Sequence, residues 1–132
     1  MAGRPSGTIE LEAPLDGDFQ PVIRLIIGGI AERVDFAFEE IDDLQLAVER
    51  LLAEAGSEGS VQLAFEFGNG GIRTRVGPLR EVAIAAALQG PPAPPGELTL
   101  RRILQTVVDS FGVEEAADGR IVVRLEKLRA TP

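Results

Sequence analysis

Apolar and polar residues alternate from Gly7 to Ala13. Ile9 and Leu11 fall on one side and Thr8, Glu10 and Glu12 on the other, a period of two that predicts a half-buried strand. The period then changes. Phe19, Val22, Ile23, Ile26, Ile27 and Ile30 recur at helical spacing, with Asp16 or Asp18 as the cap and Pro21 in the first turn, where a missing N–H is tolerated. Gly28 and Gly29 interrupt this helix at about 1 kcal/mol each relative to alanine, which points either to close approach by a neighbour or to a tolerated weak spot. A second helix is predicted from Glu39 to Ala55, with Ile41, Leu44, Val48, Leu51, Leu52 and Ala55 as its apolar stripe and Gly56 as its stop. Glu39, Glu40, Asp42 and Asp43 crowd its first turns, where the helix dipole favours anions.

Alternation returns in Val61, Leu63, Phe65 and Phe67, and again in Ile72, Thr74 and Val76. The turn "GNGG" between them predicts a hairpin. An alanine-rich stretch at 78–90 predicts a short helix, and "GPPAPPG" at 90–96 predicts a loop. Leu100, Ile103, Leu104, Val107, Val108 and Phe111 predict one more helix, and Asp118–Gly119 a closing hairpin with Ile121, Val123 and Leu125 in alternation. The resulting order is β-α-α-β-β-α-α-β-β. Strands gathered in pairs between helices predict an α+β sandwich, in which one mixed, mostly antiparallel sheet is covered by helices on one face. A single domain over 1–132, with its core at about 8–128, is expected.

Composition narrows the chemistry. The 132 residues include no cysteine and no histidine, so there is no thiol nucleophile, thiolate metal site or imidazole base. A formal charge of −8 without a basic cluster argues against nucleic acid as a partner. No stretch reaches the roughly 20 apolar residues of a membrane span, and "MAGRPSG" lacks the apolar run of a signal peptide, so a cytoplasmic location away from membranes is expected.

The stretches "IRLIIGGIAERVDFAFEEIDDLQLAVERLLAEAG" (23–56) and "LTLRRILQTVVDSFGVEEAADGRIVVRLEKL" (98–128), taken with the element order, resemble the histidine-kinase-like ATPase fold. The nearest branch looks like the small anti-sigma factors that act as serine kinases in bacterial partner-switching. "DDLQLAVE" is similar to the opening of that family's catalytic helix. The resemblance implies a Glu that activates the attacking hydroxyl and an Asn that holds magnesium; the matching positions here are Arg50 and Glu54. A guanidinium accepts no proton and cannot serve as that base. The family's adenine-reading Asp-x-Gly-x-Gly matches "RVGPLRE" (75–81), where Gly77 stands near the Asp place and no carboxylate precedes Glu81. The family's phosphate-cradling Gly-x-Gly-Leu matches Leu98-Thr99-Leu100, two full side chains where bare backbone would meet an anion.

The family's body without its chemistry therefore leads to a non-catalytic, protein-binding module of anti-sigma type with no cofactor and no metal. Leu98 and Leu100 are expected to be buried in the emptied pocket, the cleft near Glu54 closed by apolar side chains, and the 90–96 loop to stand in place of the ATP lid. Expected partners are a second copy or a related protein, with a sigma factor or an anti-sigma antagonist as further candidates. Ile9, Leu11, Leu25, Gly28 and Gly29 are the candidate interface. The alternatives are a serine kinase or ATPase with a displaced site using Glu54, Glu49 or Asp109, and a structural dimerisation unit. Three other groups have plainer readings. "FGNGGIRTR" reads as a turn before it reads as a phosphate loop; Arg101–Arg102 with Glu97 and Asp109 reads as a solvated face; and Arg73, Arg75 and Arg80 read as a surface stripe before a contact for an acidic partner.

Overall fold

A computed structural model describes residues 5–68, 70–80, 82–91 and 94–130, with the side chains of residues 82 and 83 left out. The expectations that rest on Asn69, Glu81 and residues 92 and 93 fall outside these. The elements follow the expected order: β1 (Gly7–Pro14), α1 (Gln20–Arg33), α2 (Phe38–Glu54), β2 (Ser60–Gly68), β3 (Gly71–Leu79), α3 (Val82–Gln89), α4 (Leu100–Val107), β4 (Ser110–Glu115) and β5 (Ile121–Leu128). The strands form one five-stranded sheet in the order β1-β2-β3-β5-β4. The α+β class is as expected. The sheet, however, is antiparallel in every pairing rather than mixed, because two of its four neighbouring pairs are hairpins and, across the longer connections, β1 runs against β2 and β3 against β5.

Pairing register assigns the two faces. Leu11 lies opposite Leu63, Leu63 opposite Val76, and Val76 opposite Val123, so these residues share one side with Phe65, Thr74 and Leu125. All but Leu11 are 0–1% exposed, and Leu11 packs partly against the same cluster beneath α1, α2 and α4. The helices contribute Ile23, Ile27, Ile30 and Ala31 from α1; Leu44, Ala47, Val48, Leu51 and Leu52 from α2; and Leu100, Leu104 and Val107 from α4. The first helix is narrower inside than its sequence stripe suggests: Phe19 and Val22 are 43% and 50% exposed. Phe19 belongs to the short turn before α1, and Val22 lies on the outer side of the helix's first turn, next to the buried Ile23. Phe111 is likewise corrected. It belongs to β4, opposite Leu125, because α4 ends at Val107 and the following apolar residues continue with strand period.

Local chemistry closes the element ends. Asp16 accepts the Asp18 N–H (3.0 Å) in the short 3-10 turn before α1. Glu40 reaches back to the Ala37 N–H (2.7 Å) at the start of α2 and also accepts the Ala130 N–H, tying the end of the chain to that helix. Lys127 donates to Asp43 (3.3 Å) and to the Val107 carbonyl (2.9 Å), joining β5 to α2 and α4.

Candidate functional site

Arg50 and Glu54 lie on the same side of α2, one helical turn apart, and both are exposed. Helical phase explains this: Leu51 and Leu52 point into the core, which turns positions 50 and 54 outward. Among the described residues neither carries an ion pair. The expected apolar closure near Glu54 does not occur. Beyond the end of α2 lies an open groove of about 650 Å³, bordered by Gly56, Ser60, Leu79, Arg80 and Arg120.

Gly77 is buried at the point where β3 loses register with β5, between Val76 and Leu79. A Cβ there would stand 2.7 Å from the Ile121 carbonyl oxygen, and the residue's φ is +151°. Glycine is thus required by backbone approach from β5.

The start of α4 separates the two leucines. Leu100 is 7% exposed and joins the core, as expected, whereas Leu98 is 77% exposed and fills nothing. Leu98 precedes the cap, where the chain is still extended, and points outward. Thr99 caps the helix by accepting the Arg102 N–H (3.2 Å), and its carbonyl takes the Ile103 N–H (3.0 Å). Arg101 donates to the Gly90 carbonyl oxygen and Arg102 to that of Pro94 (3.4 Å). The pair is therefore more than a solvated face: it fastens the proline-rich loop to α4, a contact that helical spacing alone does not record.

On α1, Leu25 is 75% exposed, opposite the buried stripe. The two glycines differ. A Cβ on Gly28 would meet the Gln45 amide nitrogen at 3.3 Å, and Gln45 donates to the Arg24 carbonyl (2.9 Å), so the close neighbour at this position is α2. Gly29 instead lines an apolar groove of about 560 Å³ with Ile9, Leu11, Ile26 and Phe67. Ile9, Leu11 and Gly29 are therefore brought together, Leu25 lies beside them, and Gly28 belongs to the α1–α2 contact. Arg24 spans that same contact to Glu49 (2.5 Å) and Asp42 (3.1 Å). The Glu49 hydrogen bond in particular raises the guanidinium above its ordinary pKa, against the lowering effect of burial.

The uncovered sheet face carries an ion lattice. Arg75 pairs with Glu66 and with Glu114 (3.2 Å); Arg124 pairs with Glu114 and Glu126 (each 3.2 Å); Arg73 reaches Glu126 (3.6 Å). Glu114 thus bridges two arginines. The Arg75 hydrogen bond, more than any other influence, holds its carboxyl below the usual glutamate range, and burial opposes it only in part. Arg73 and Arg75, foreseen as a surface stripe, are neutralised within the chain. Their partners were legible only as alternate acidic positions in neighbouring strands.

No family model matches the chain. A 66-residue stretch is 32% identical to the serine-protein kinase RsbW of Bacillus pumilus, covering 43% of this chain and 41% of that protein. The RsbW serine-protein kinase of Bacillus thuringiensis is 30% identical over 64 residues, 46% of this chain and 40% of its own length. The Bacillus anthracis protein of the same name matches to the same extent. The chain is thus similar over part of its length to RsbW serine-protein kinases, and the match spans about two fifths of the length of these relatives. Among the described residues no helix is long and apolar enough to cross a membrane.

Proposed function

We propose that the chain is a regulatory, protein-binding module of anti-sigma type, acting in the cytoplasm by contact with partner proteins and transferring no phosphate itself. The similarity to RsbW serine-protein kinases supports the regulatory half of this reading. The start of α4 carries the other half. Where the resemblance requires bare backbone N–H groups facing an anion, Thr99 already caps the helix, Leu100 is packed into the core, and two arginines fasten the neighbouring loop. At the position of the catalytic base, Arg50 holds no proton-accepting group. Phosphoryl transfer needs nucleophile activation, metal and phosphate cradle together, and each of these positions is altered.

Self-association, or pairing with a related chain, belongs to the same proposal and falls on the outer side of α1 around Leu25. A sigma factor or its single-domain antagonist is the proposed regulatory partner. The kinase reading draws on the same relatives. Of the acids it would use, Glu49 is held by Arg24 and Asp109 accepts the Leu128 N–H (2.7 Å), which leaves Glu54 alone and exposed.

Thermal melting with magnesium-ATP, together with phosphate transfer from labelled ATP to a candidate antagonist, decides between the two. A ligand at 100 times its dissociation constant adds about 2.7 kcal/mol of stability. We expect no change in Tm and no labelled product; a saturable upward shift or a phosphorylated antagonist defeats the non-catalytic reading.

A further inference from the structure

The β1 edge differs from every other part of the sheet. The ion lattice runs across β2, β3, β5 and β4, where Glu66, Glu114 and Glu126 all find arginines. It stops at β1. Glu10 and Glu12 lie on the same open face, exposed, and carry no ion pair among the described residues. The far edge of the sheet is different again: α3 packs beside β4.

The backbone of β1 is also available, and hydrogen-bond parity shows which groups. Antiparallel neighbours alternate between pairs that exchange N–H···O bonds and pairs that do not. Leu15 donates to the Gly59 carbonyl (2.9 Å), and 15 and 59 continue the register in which Ala13 faces Val61 and Leu11 faces Leu63. Odd-numbered residues therefore bond β2, and the N–H and C=O groups of Thr8, Glu10 and Glu12 point away from the sheet. Pro14, which has no N–H to give, falls at the same parity and ends the row. On the helix side of this edge lies the apolar groove formed by Ile9, Leu11, Ile26, Gly29 and Phe67, with Ile9 still 41% exposed.

We propose that this edge binds an extended segment of a partner protein in which apolar and basic residues alternate. The segment adds as a sixth strand beside β1. Its backbone pairs with Thr8, Glu10 and Glu12, its apolar side chains enter the groove, and its lysines or arginines extend the ion lattice onto Glu10 and Glu12. A second copy of this chain fits the edge poorly. A two-fold pairing centred on residue 10 sets Glu10 against its own counterpart, and one centred on residue 11 sets Glu10 against Glu12. Like charges directly opposite are destabilising, and each copy brings a further net charge of −8. The proposal rests on the reading of the chain as a protein-binding module and names the chemistry of one partner surface.

The test uses the full chain and a capped, fluorescent hexapeptide of alternating valine and lysine, with an alternating valine–glutamate peptide as control. Fluorescence anisotropy should show salt-sensitive binding of the basic peptide alone. The double variant Glu10→Gln/Glu12→Gln, at exposed positions outside the core, should weaken it by about tenfold with the fold unchanged. Amide exchange should slow at Glu10 and Glu12 when the peptide is present, which salt-dependent sticking elsewhere on an acidic protein would not produce. Equal binding of the two peptides, an unaffected double variant, or peptide-independent protection of these amides in a self-paired dimer overturns the proposal. No nucleotide enters the experiment. A failure here leaves the non-catalytic reading standing, and ATP binding would overturn that reading without touching this one.

Discussion

Leu100→Gly tests most directly the proposed loss of a phosphate cradle at the start of α4. Leu100 keeps 7% of its surface exposed, at the first turn of α4 beside the core. Removing a buried leucine side chain typically costs about 2 to 5 kcal/mol, counting lost transfer energy and the cavity left behind. Glycine in a helix adds up to about 1 kcal/mol. The neighbouring position supplies the control. Leu98, 77% exposed, forfeits little burial, so Leu98→Gly should stay within about 0.5 kcal/mol of the parent. For 132 residues, a loss near 3 kcal/mol corresponds to a fall in Tm of roughly 10 °C. Urea unfolding followed by far-ultraviolet circular dichroism measures both variants, and an unchanged m-value shows that stability, not denatured-state compactness, has moved. If Leu100→Gly melts with the parent, Leu100 does not fill the core and the start of α4 is not closed as proposed. If Leu98→Gly is as costly as Leu100→Gly, the asymmetry between the two leucines is wrong.

Two further outcomes are expected. Thr74 is fully buried on the helix side of the sheet and its Oγ1 has no hydrogen-bond partner among the described residues, so Thr74→Val should stabilise the chain by about 1 kcal/mol, read as a rise of roughly 3 °C in Tm; a loss of stability would reveal a partner for that hydroxyl. Because Arg75 holds Glu114 below its ordinary value of 4.5, the folded chain binds that proton less readily than the unfolded one. The corresponding stability is complete above about pH 4.5 and is lost as the pH falls through the lower folded value; Tm measured from about pH 7 to pH 3 should therefore decline less steeply over the acidic part of that range in Glu114→Gln.

Sequence periodicity alone determined the number, type and order of the elements, because each packs one side against a common core and burial imposes period two on strands and 3.6 on helices. It also supplied the identities that the resemblance sets at the base and cradle positions, Arg50, Leu98 and Leu100, which no packing can alter. The stripe failed where elements end. Phe19 and Phe111 continue an apolar spacing past the point at which the backbone has changed its path. Leu98 and Leu100 share residue type and neighbourhood, yet one lies outside and the other inside; the direction of the chain at a helix cap decides this, and composition carries no record of it. Gly28 and Gly29 are likewise adjacent and identical, but Gly28 faces Gln45 and Gly29 faces the groove, because successive helical positions differ by about 100°.

The sheet surface shows the same division. Alternation along β2, β3 and β5 sets Glu66, Arg73, Arg75, Arg124 and Glu126 on the side away from the apolar positions. Only the register, with Glu66 opposite Arg73 and Arg73 opposite Glu126, turned them into a lattice. It was the order of the strands, which sequence spacing does not specify, that placed β1 at the rim and left Glu10 and Glu12 as acids with backbone groups facing outward beside them.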